Sequence, residues 1–329
     1  MSSELPEGVD AFLEDAGWGG SRVEPLPGDA SFRRYFRVRR GEASAMLMDA
    51  PPPHEDPEPF LAVGAWLAAH GHRAPAIHAE DRARGLVLIE DFGADRMRDW
   101  LDENAHAEEV TYGAAIDALV RLHASPPGPF PAYDMAVYQR EAGLFVEWFC
   151  PLQGLKVDAA GWTAAWDAAL TPLLARQNPG VTVLRDYHAE NIMLLEGGAQ
   201  GLIDFQDALV GHPAYDVVSL LQDARRDVAP ELERAMLDRY QAQRDAGPEH
   251  REAFRADYAR LGAQRNAKIV GIFARLWKRD GKPRYLAMIP RVWEAMERDL
   301  KHPALAPVAA WFAANVPQEL RDTGGGELQ

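Results

Sequence analysis

Between residues 181 and 205 the chain changes character. Three short apolar runs, Val181–Leu184, Ile192–Leu195 and Leu202–Phe205, are separated by polar segments and by Gly197-Gly198, a pair suited to a tight reversal. They predict a small β island, whereas most of the sequence from residue 94 to about Ala314 has helical spacing. The last two runs read as a hairpin. A hairpin returns its ends to one place, so Asn191 and Asp204 are predicted to lie together although thirteen positions separate them.

Asp186 stands five positions before Asn191. Phosphoryl transfer asks a protein for a carboxylate that orients the attacking hydroxyl and accepts its proton. It also asks for hard oxygen ligands that hold Mg²⁺ against the phosphates. An Asp, an Asn five residues later and an Asp closing a later strand supply these. Asp-x-x-x-x-Asn alone is common, and ordinary turn residues flanking strands would explain it. The hairpin closing on Ile203-Asp204-Phe205 is what gives the constellation weight.

The first 93 residues have a different pattern. Ser31 to Arg39 alternates, with Phe32, Arg34, Phe36 and Val38 on one face, and predicts a strand. Ala45–Met48 and Leu86–Ile89 predict two more. Phe60, Val63 and Leu67 recur at helical spacing, and Gly71 suits the helix end. Gly28, Ala30, Ser31 and Phe32 fall where a loop could offer backbone N–H groups to phosphate. A kinase usually sets a Lys in its third strand against the phosphates. Ala45–Asp49 has no basic residue, so Arg33 or Arg34 is expected to supply that charge. By position and by resemblance to kinases, Glu90 and Phe92 are expected at the hinge that holds the adenine edge. Residues 1–93 are therefore expected to form a small β-rich N-lobe. Residues 94–329 are expected to form a larger, mainly α-helical C-lobe with the catalytic loop. Together they make an α+β, bilobal, protein-kinase-like fold.

The catalytic segment resembles the aminoglycoside phosphotransferase/choline kinase superfamily. The resemblance implies Asp186 as catalytic base, Asn191 and Asp204 as ligands of Mg²⁺, and ATP as phosphoryl donor. Gly211-His212-Pro213-Ala214-Tyr215-Asp216 is similar to that superfamily's next helix start, which implies that Asp216 braces the catalytic loop. Only eleven residues separate Asp204 from Asp216, too few for the activation segment of a protein kinase. Gln206 replaces the Gly of Asp-Phe-Gly, which implies constitutive activity.

Further segments resemble the bacterial anomeric amino-sugar kinases of cell-wall recycling. They are residues 28–38, Met48-Asp49-Ala50-Pro51-Pro52, Asp204-Phe205-Gln206-Asp207-Ala208, residues 219–227 and residues 271–276. This likeness implies phosphorylation of the C1 hydroxyl of N-acetylmuramate or N-acetylglucosamine, with His188, Gln206, Asp207, Lys268 and Arg275 as acceptor-side candidates. An arginine fork suits the lactyl carboxylate of N-acetylmuramate. Another alcohol, such as choline, homoserine or an aminoglycoside, stays open as acceptor. So does a pseudokinase that binds nucleotide without turnover.

The bulk properties narrow the rest. A chain of 329 residues suits two lobes. A net charge of −15 disfavours nucleic acid as a partner. No apolar stretch approaches a membrane span, and the first ten residues lack a basic, apolar leader. Cys150 is the only cysteine, which excludes an internal disulfide and fits a cytoplasmic location. Cys150 and His123 both read as core residues, the tryptophans mostly as core or helix contacts, and Gly324–Gly326 as a frayed tail.

Overall fold

The computed structural model describes residues 5–27, 32–244 and 247–326. The chain runs α1 (Val9–Asp15), β1 (Arg22–Pro25), β2 (Arg34–Arg40), β3 (Ala43–Asp49), α2 (Glu58–Ala69), β4 (Ile77–Asp81), β5 (Leu86–Glu90) and α3 (Met97–Glu103). Helices α4 (Glu108–Ala124), α5 (Met135–Leu144), α6 (Cys150–Leu152) and α7 (Ala159–Gln177) follow. Next come β6 (Val181–Val183), β7 (Ile192–Leu194), β8 (Gln200–Leu202) and β9 (Leu209–Gly211). The chain closes with α8 (Ala214–Leu221), α9 (Pro230–Ala242), α10 (Pro248–Asp280), α11 (Ile289–Asp299), α12 (Ala306–Asn315) and α13 (Gln318–Asp322).

Two compact units result, residues 1–100 with 190–207, and residues 101–189 with 208–329. The sequence boundary at 93 differs from this division chiefly at the β7–β8 hairpin, which packs with the first unit. The cause is local. Leu202 N–H donates to Arg73 O at 2.8 Å and Leu194 N–H to Asp95 O at 2.8 Å. The Phe92 ring lies so close to Gly201 that a Cβ there would fall 2.5 Å from it, so a larger residue would displace the ring.

The first unit is an antiparallel sheet in the order β1-β2-β3-β5-β4. Alternation in β2 buries Phe36 and Val38, which join Leu47, Leu86 and Leu88 with Phe12 and Leu13 of α1 in one core. Burying each such side chain contributes roughly 1.5–3 kcal/mol. Strand β2 begins at Arg34, so Phe32 lies outside it and is exposed. Helix α2 ends with Gly71 in the left-handed region, the position where glycine avoids a Cβ clash.

The second unit is built along α10, a helix of 33 residues packed against α5, α8 and α11. Gly271 permits a close approach of backbones, since a Cβ there would lie 2.3 Å from the carbonyl carbon of Leu144 at the end of α5. A π-helical turn, Phe145–Phe149, follows α5 and feeds an aromatic cluster of Phe145, Phe149, Trp162, Trp293 and Phe312. The buried tryptophans here are core, as expected. Cys150 is buried too, and burial pushes its thiol up to about 12. Asp257 of α10 ties the unit together from a buried position. It accepts from Arg176 of α7 at 2.9 and 2.5 Å, from Arg260 at 2.9 Å, and lies 3.3 Å from His212 Nε2 beside β9. Burial opposes its charge, but His212 and Arg176 outweigh burial and hold the carboxyl at about 2.

Two expectations need correction. The β island is not one structure. β7 pairs with β8, whereas β6 pairs with β9, a strand hidden from the sequence by its three-residue length and by the Gly-His-Pro that ends it. The run Leu202–Phe205 leaves the ladder after Leu202. The glycine tail is also held. Gly325 N–H donates to Leu320 O at 2.9 Å, and Gln153 Nε2 donates to Gly325 O at 2.6 Å. Among the described residues no helix is long and apolar enough to cross a membrane.

Candidate active site

In the second unit β6 delivers Leu184, Arg185 and Asp186. Arg185 adopts φ +70°, a left-handed conformation that costs a non-glycine residue about 1–3 kcal/mol. The surrounding bonds offset that cost. Asp216, in the first turn of α8, accepts from Leu184 N at 2.7 Å and Arg185 N at 2.8 Å. Ser219, one turn on, donates to Arg185 O at 3.0 Å and accepts from Arg265 Nη2 at 2.9 Å. His123 Nε2 lies 3.6 Å from Asp216 and its Nδ1 lies 2.7 Å from the Tyr240 hydroxyl. It is a buried core histidine, as its place on the apolar face of α4 implied.

The Asp186 side chain is 43% exposed, with Arg265 Nη2 at 4.0 Å. Burial of the surroundings works to raise its pKa. Lys268, His188, Arg265 and Arg185 overcome this and hold the carboxyl below its ordinary value. Two of these cations share one buried counter-charge. Glu141 of α5 accepts from Lys268 Nζ at 3.0 Å, from the Arg185 guanidinium, and on its other oxygen from the Tyr133 hydroxyl. Lys268 also donates to Tyr215 Oη at 3.3 Å. Lys268 is thus an inward residue rather than part of a solvated ion pair. His188 is buried with Nε2 3.3 Å from Arg225 Nη1, and Arg225 N–H donates to Asp223 Oδ1 at 2.8 Å. Asp223 also lines a cavity of about 340 Å³ with Arg226, Arg291 and Arg298. Arg275 is not drawn into this group. It lies two turns beyond Lys268 on α10, with Asp280 as a charged neighbour.

In the first unit the hairpin brings Asn191 and Asp204 together. Ile203 N–H donates to Asn191 O at 3.1 Å, and Asn191 Nδ2 donates to Asp204 Oδ2 at 3.4 Å. Gln206 Nε2 donates to Asp204 Oδ1 at 2.9 Å. Asp204 has φ +58° and an exposed carboxylate, while the adjoining Phe205 is buried and stacks on Phe60 at 5.0 Å between centroids. Phe205 therefore anchors the turn that presents Asp204. Asp207 is exposed. One carboxylate and one amide oxygen fit Mg²⁺, which prefers few protein ligands and keeps the rest of its shell for water and phosphate. Among the described residues no group of three or more His, Cys, Asp or Glu forms a fuller metal cage.

The nucleotide-side candidates separate. Gly28, Ala30 and Ser31 lie outside the described residues. Arg34 pairs with Asp49, its cross-strand partner, at 2.6 and 2.8 Å. Arg33 Nη2 lies 3.4 Å from Glu55 Oε2. The Glu90 carboxylate is turned back onto both guanidinium nitrogens of Arg73 and onto Ala76 N–H, and the Phe92 ring lies under the same guanidinium at 4.7 Å. Glu141 and Glu55 were not singled out from the sequence, because nothing local marks a residue whose partner lies on another element.

The model of the phosphotransferase enzyme family matches residues 22–256. A curated relative from Caulobacter vibrioides, named N-acetylmuramate/N-acetylglucosamine kinase, is 41% identical over 98% of this chain and 99% of its own length. A relative of the same name from Pseudomonas aeruginosa is 40% identical over 97% of this chain and 95% of its own. In three dimensions a choline/ethanolamine kinase family protein from Mesorhizobium loti matches with TM-score 0.64 and 16% identity, covering 94% of this chain and 97% of that one. The β-sheet N-terminal unit and mostly helical remainder are thus the protein-kinase-like fold expected from the sequence. The chain belongs to the phosphotransferase enzyme family. It is an ATP-dependent kinase.

Proposed function

We propose that this kinase phosphorylates the anomeric hydroxyl of N-acetylmuramate, N-acetylglucosamine or both, in the cytoplasmic recycling of cell-wall sugars. The acceptor class rests on the near full-length likeness to two relatives named for those sugars. The observation that carries the chemistry is the surroundings of Asp186. A half-open carboxylate among Lys268, His188, Arg265 and Arg185 is a weak base. The anomeric hydroxyl is the most acidic of a sugar, so it asks least of such a base.

Asp186 orients that hydroxyl and accepts its proton as the C1 oxygen bonds to the γ-phosphorus. The bond from phosphorus to the bridging oxygen breaks with its electron pair, and ADP leaves. Asn191 and Asp204 would hold Mg²⁺, which when bound neutralises charge on the phosphates. Asp216 and Ser219 fix the backbone that carries Asp186. His188, with Arg225 and Asp223 beside it, is a candidate for the acceptor side.

The test is Mg-ATP consumption by purified protein with N-acetylmuramate, N-acetylglucosamine, choline, homoserine and kanamycin. Reduced sugars without a C1 hemiacetal serve as controls. Turnover of the amino sugars but not the reduced controls is expected. Asp186→Asn should keep ATP affinity near that of the parent and lower kcat by about 10²–10⁴-fold. Turnover of a reduced sugar would refute the anomeric reading, and normal kcat in Asp186→Asn would remove Asp186 as base.

A further inference from the structure

The first unit contains no lysine at any position, within residues 1–100 or 190–207. Any fixed cation it offers to nucleotide phosphate must be an arginine. The neighbouring arginines are committed elsewhere. Arg34 is held by buried Asp49, Arg37 by Asp91 and the Gly93 carbonyl, Arg73 by Glu90, and Arg98 by Glu190.

Arg33 has a different setting. Its side chain is only 9% exposed, yet its contact to Glu55 is a long 3.4 Å. It hydrogen-bonds Tyr35, and both Glu55 and Asp204 act on its charge. Tyr35 is itself coupled to Arg33, Asp204 and Glu55. Next to this pair, Phe32 stacks on His54 with centroids 5.2 Å apart. Two adjacent contacts therefore join the start of β2 to the segment that leads into α2. In kinases generally a strand cation pairs with a helix-side acid close to the metal-binding Asp. Arg33, Glu55 and Asp204 reproduce that trio with the cation moved from β3 to the entry of β2.

We propose that Arg33 is the residue that pairs with the phosphates of ATP, tethered by Glu55, in place of a third-strand lysine. This rests on the kinase reading and settles which of the two arginines does the work. A guanidinium can take two phosphate oxygens at once and stays charged throughout the physiological range, which a lysine partly buried beside Tyr35 would not match.

The test compares binding of ATP and adenosine to the intact protein by calorimetry, without acceptor, for the parent, Arg33→Gln and Arg33→Lys. Arg33→Gln should weaken ATP about 10- to 100-fold, the value of a charge-assisted hydrogen bond, and shift adenosine less than about twofold. Arg33→Lys should fall between the two for ATP. Should Arg33→Gln fail to fold, Arg33→Lys alone decides, because it keeps the charge and loses the fork. Equal ATP affinity in parent and Arg33→Gln, or an equal loss for ATP and adenosine, would overturn the assignment. Parent affinity in Arg33→Lys when Arg33→Gln cannot be made would overturn the fork. A parent that binds no ATP would instead overturn the kinase reading.

Discussion

Asp257→Asn isolates one electrostatic contribution with a computable size. The side chain stays nearly isosteric, while Arg176, Arg260 and His212 lose the charge they share. In the unfolded chain the carboxyl titrates near 3.8, and in the fold at about 2. A folded value below the unfolded one means that the native state favours the ionised form. The resulting stability is fully present well above pH 3.8 and is lost as pH falls through about 2. The difference corresponds to roughly 2.5 kcal/mol at pH 7, and roughly half of it is gone by pH 3. Urea unfolding of parent and variant at pH 7, 5, 4 and 3 measures this directly. The variant should be about 2–3 kcal/mol less stable at pH 7 and 5, with the gap closing towards pH 3. A gap below about 0.5 kcal/mol at pH 7 would refute the argument, as would one independent of pH.

Two further outcomes follow from the site. Glu141→Gln strips the buried counter-charge from Arg185 and Lys268, so unfolding should be easier by about 3–5 kcal/mol. Adding Lys268→Met should restore part of that loss, and strict additivity in the double-mutant cycle would contradict a shared buried charge. Asp204→Ala should weaken Mg-ATP binding at least about tenfold while leaving metal-free adenosine binding nearly as it was. Unaltered Mg-ATP affinity in calorimetry would remove Asp204 from the metal site.

The parts of this site that lie close in sequence were legible. The meeting of Asn191 and Asp204 could be read because a short hairpin converts sequence distance into spatial distance by a fixed rule, and Ile203 N–H to Asn191 O is that rule at work. The strand at residues 34–40 was equally plain, since Phe36 and Val38 must share a face whatever covers them. The opposite holds for Glu141. It looks like any helical glutamate, and only the meeting of α5, α10 and the catalytic loop places it between Lys268 and Arg185. Lys268 and Arg275 show the same limit. Helical periodicity puts them on one side of α10, but which stretch of that side meets Asp186 depends on elements far away in sequence. β9 escaped notice because three residues hold too little pattern to stand out from a loop, and its partner β6 lies 26 positions upstream at Val183↔Leu209.

The absence of lysine from the first unit has a practical consequence for covalent labelling. Acyl-phosphate nucleotide probes report ATP sites by transferring a tag to a nearby amine, and here the first unit offers no lysine amine to accept one. A tag transferred by that chemistry would have to land on a lysine outside the first unit. Guanidine-directed dicarbonyl reagents would label it, and digestion of residues 1–100 by trypsin would cut at arginine alone.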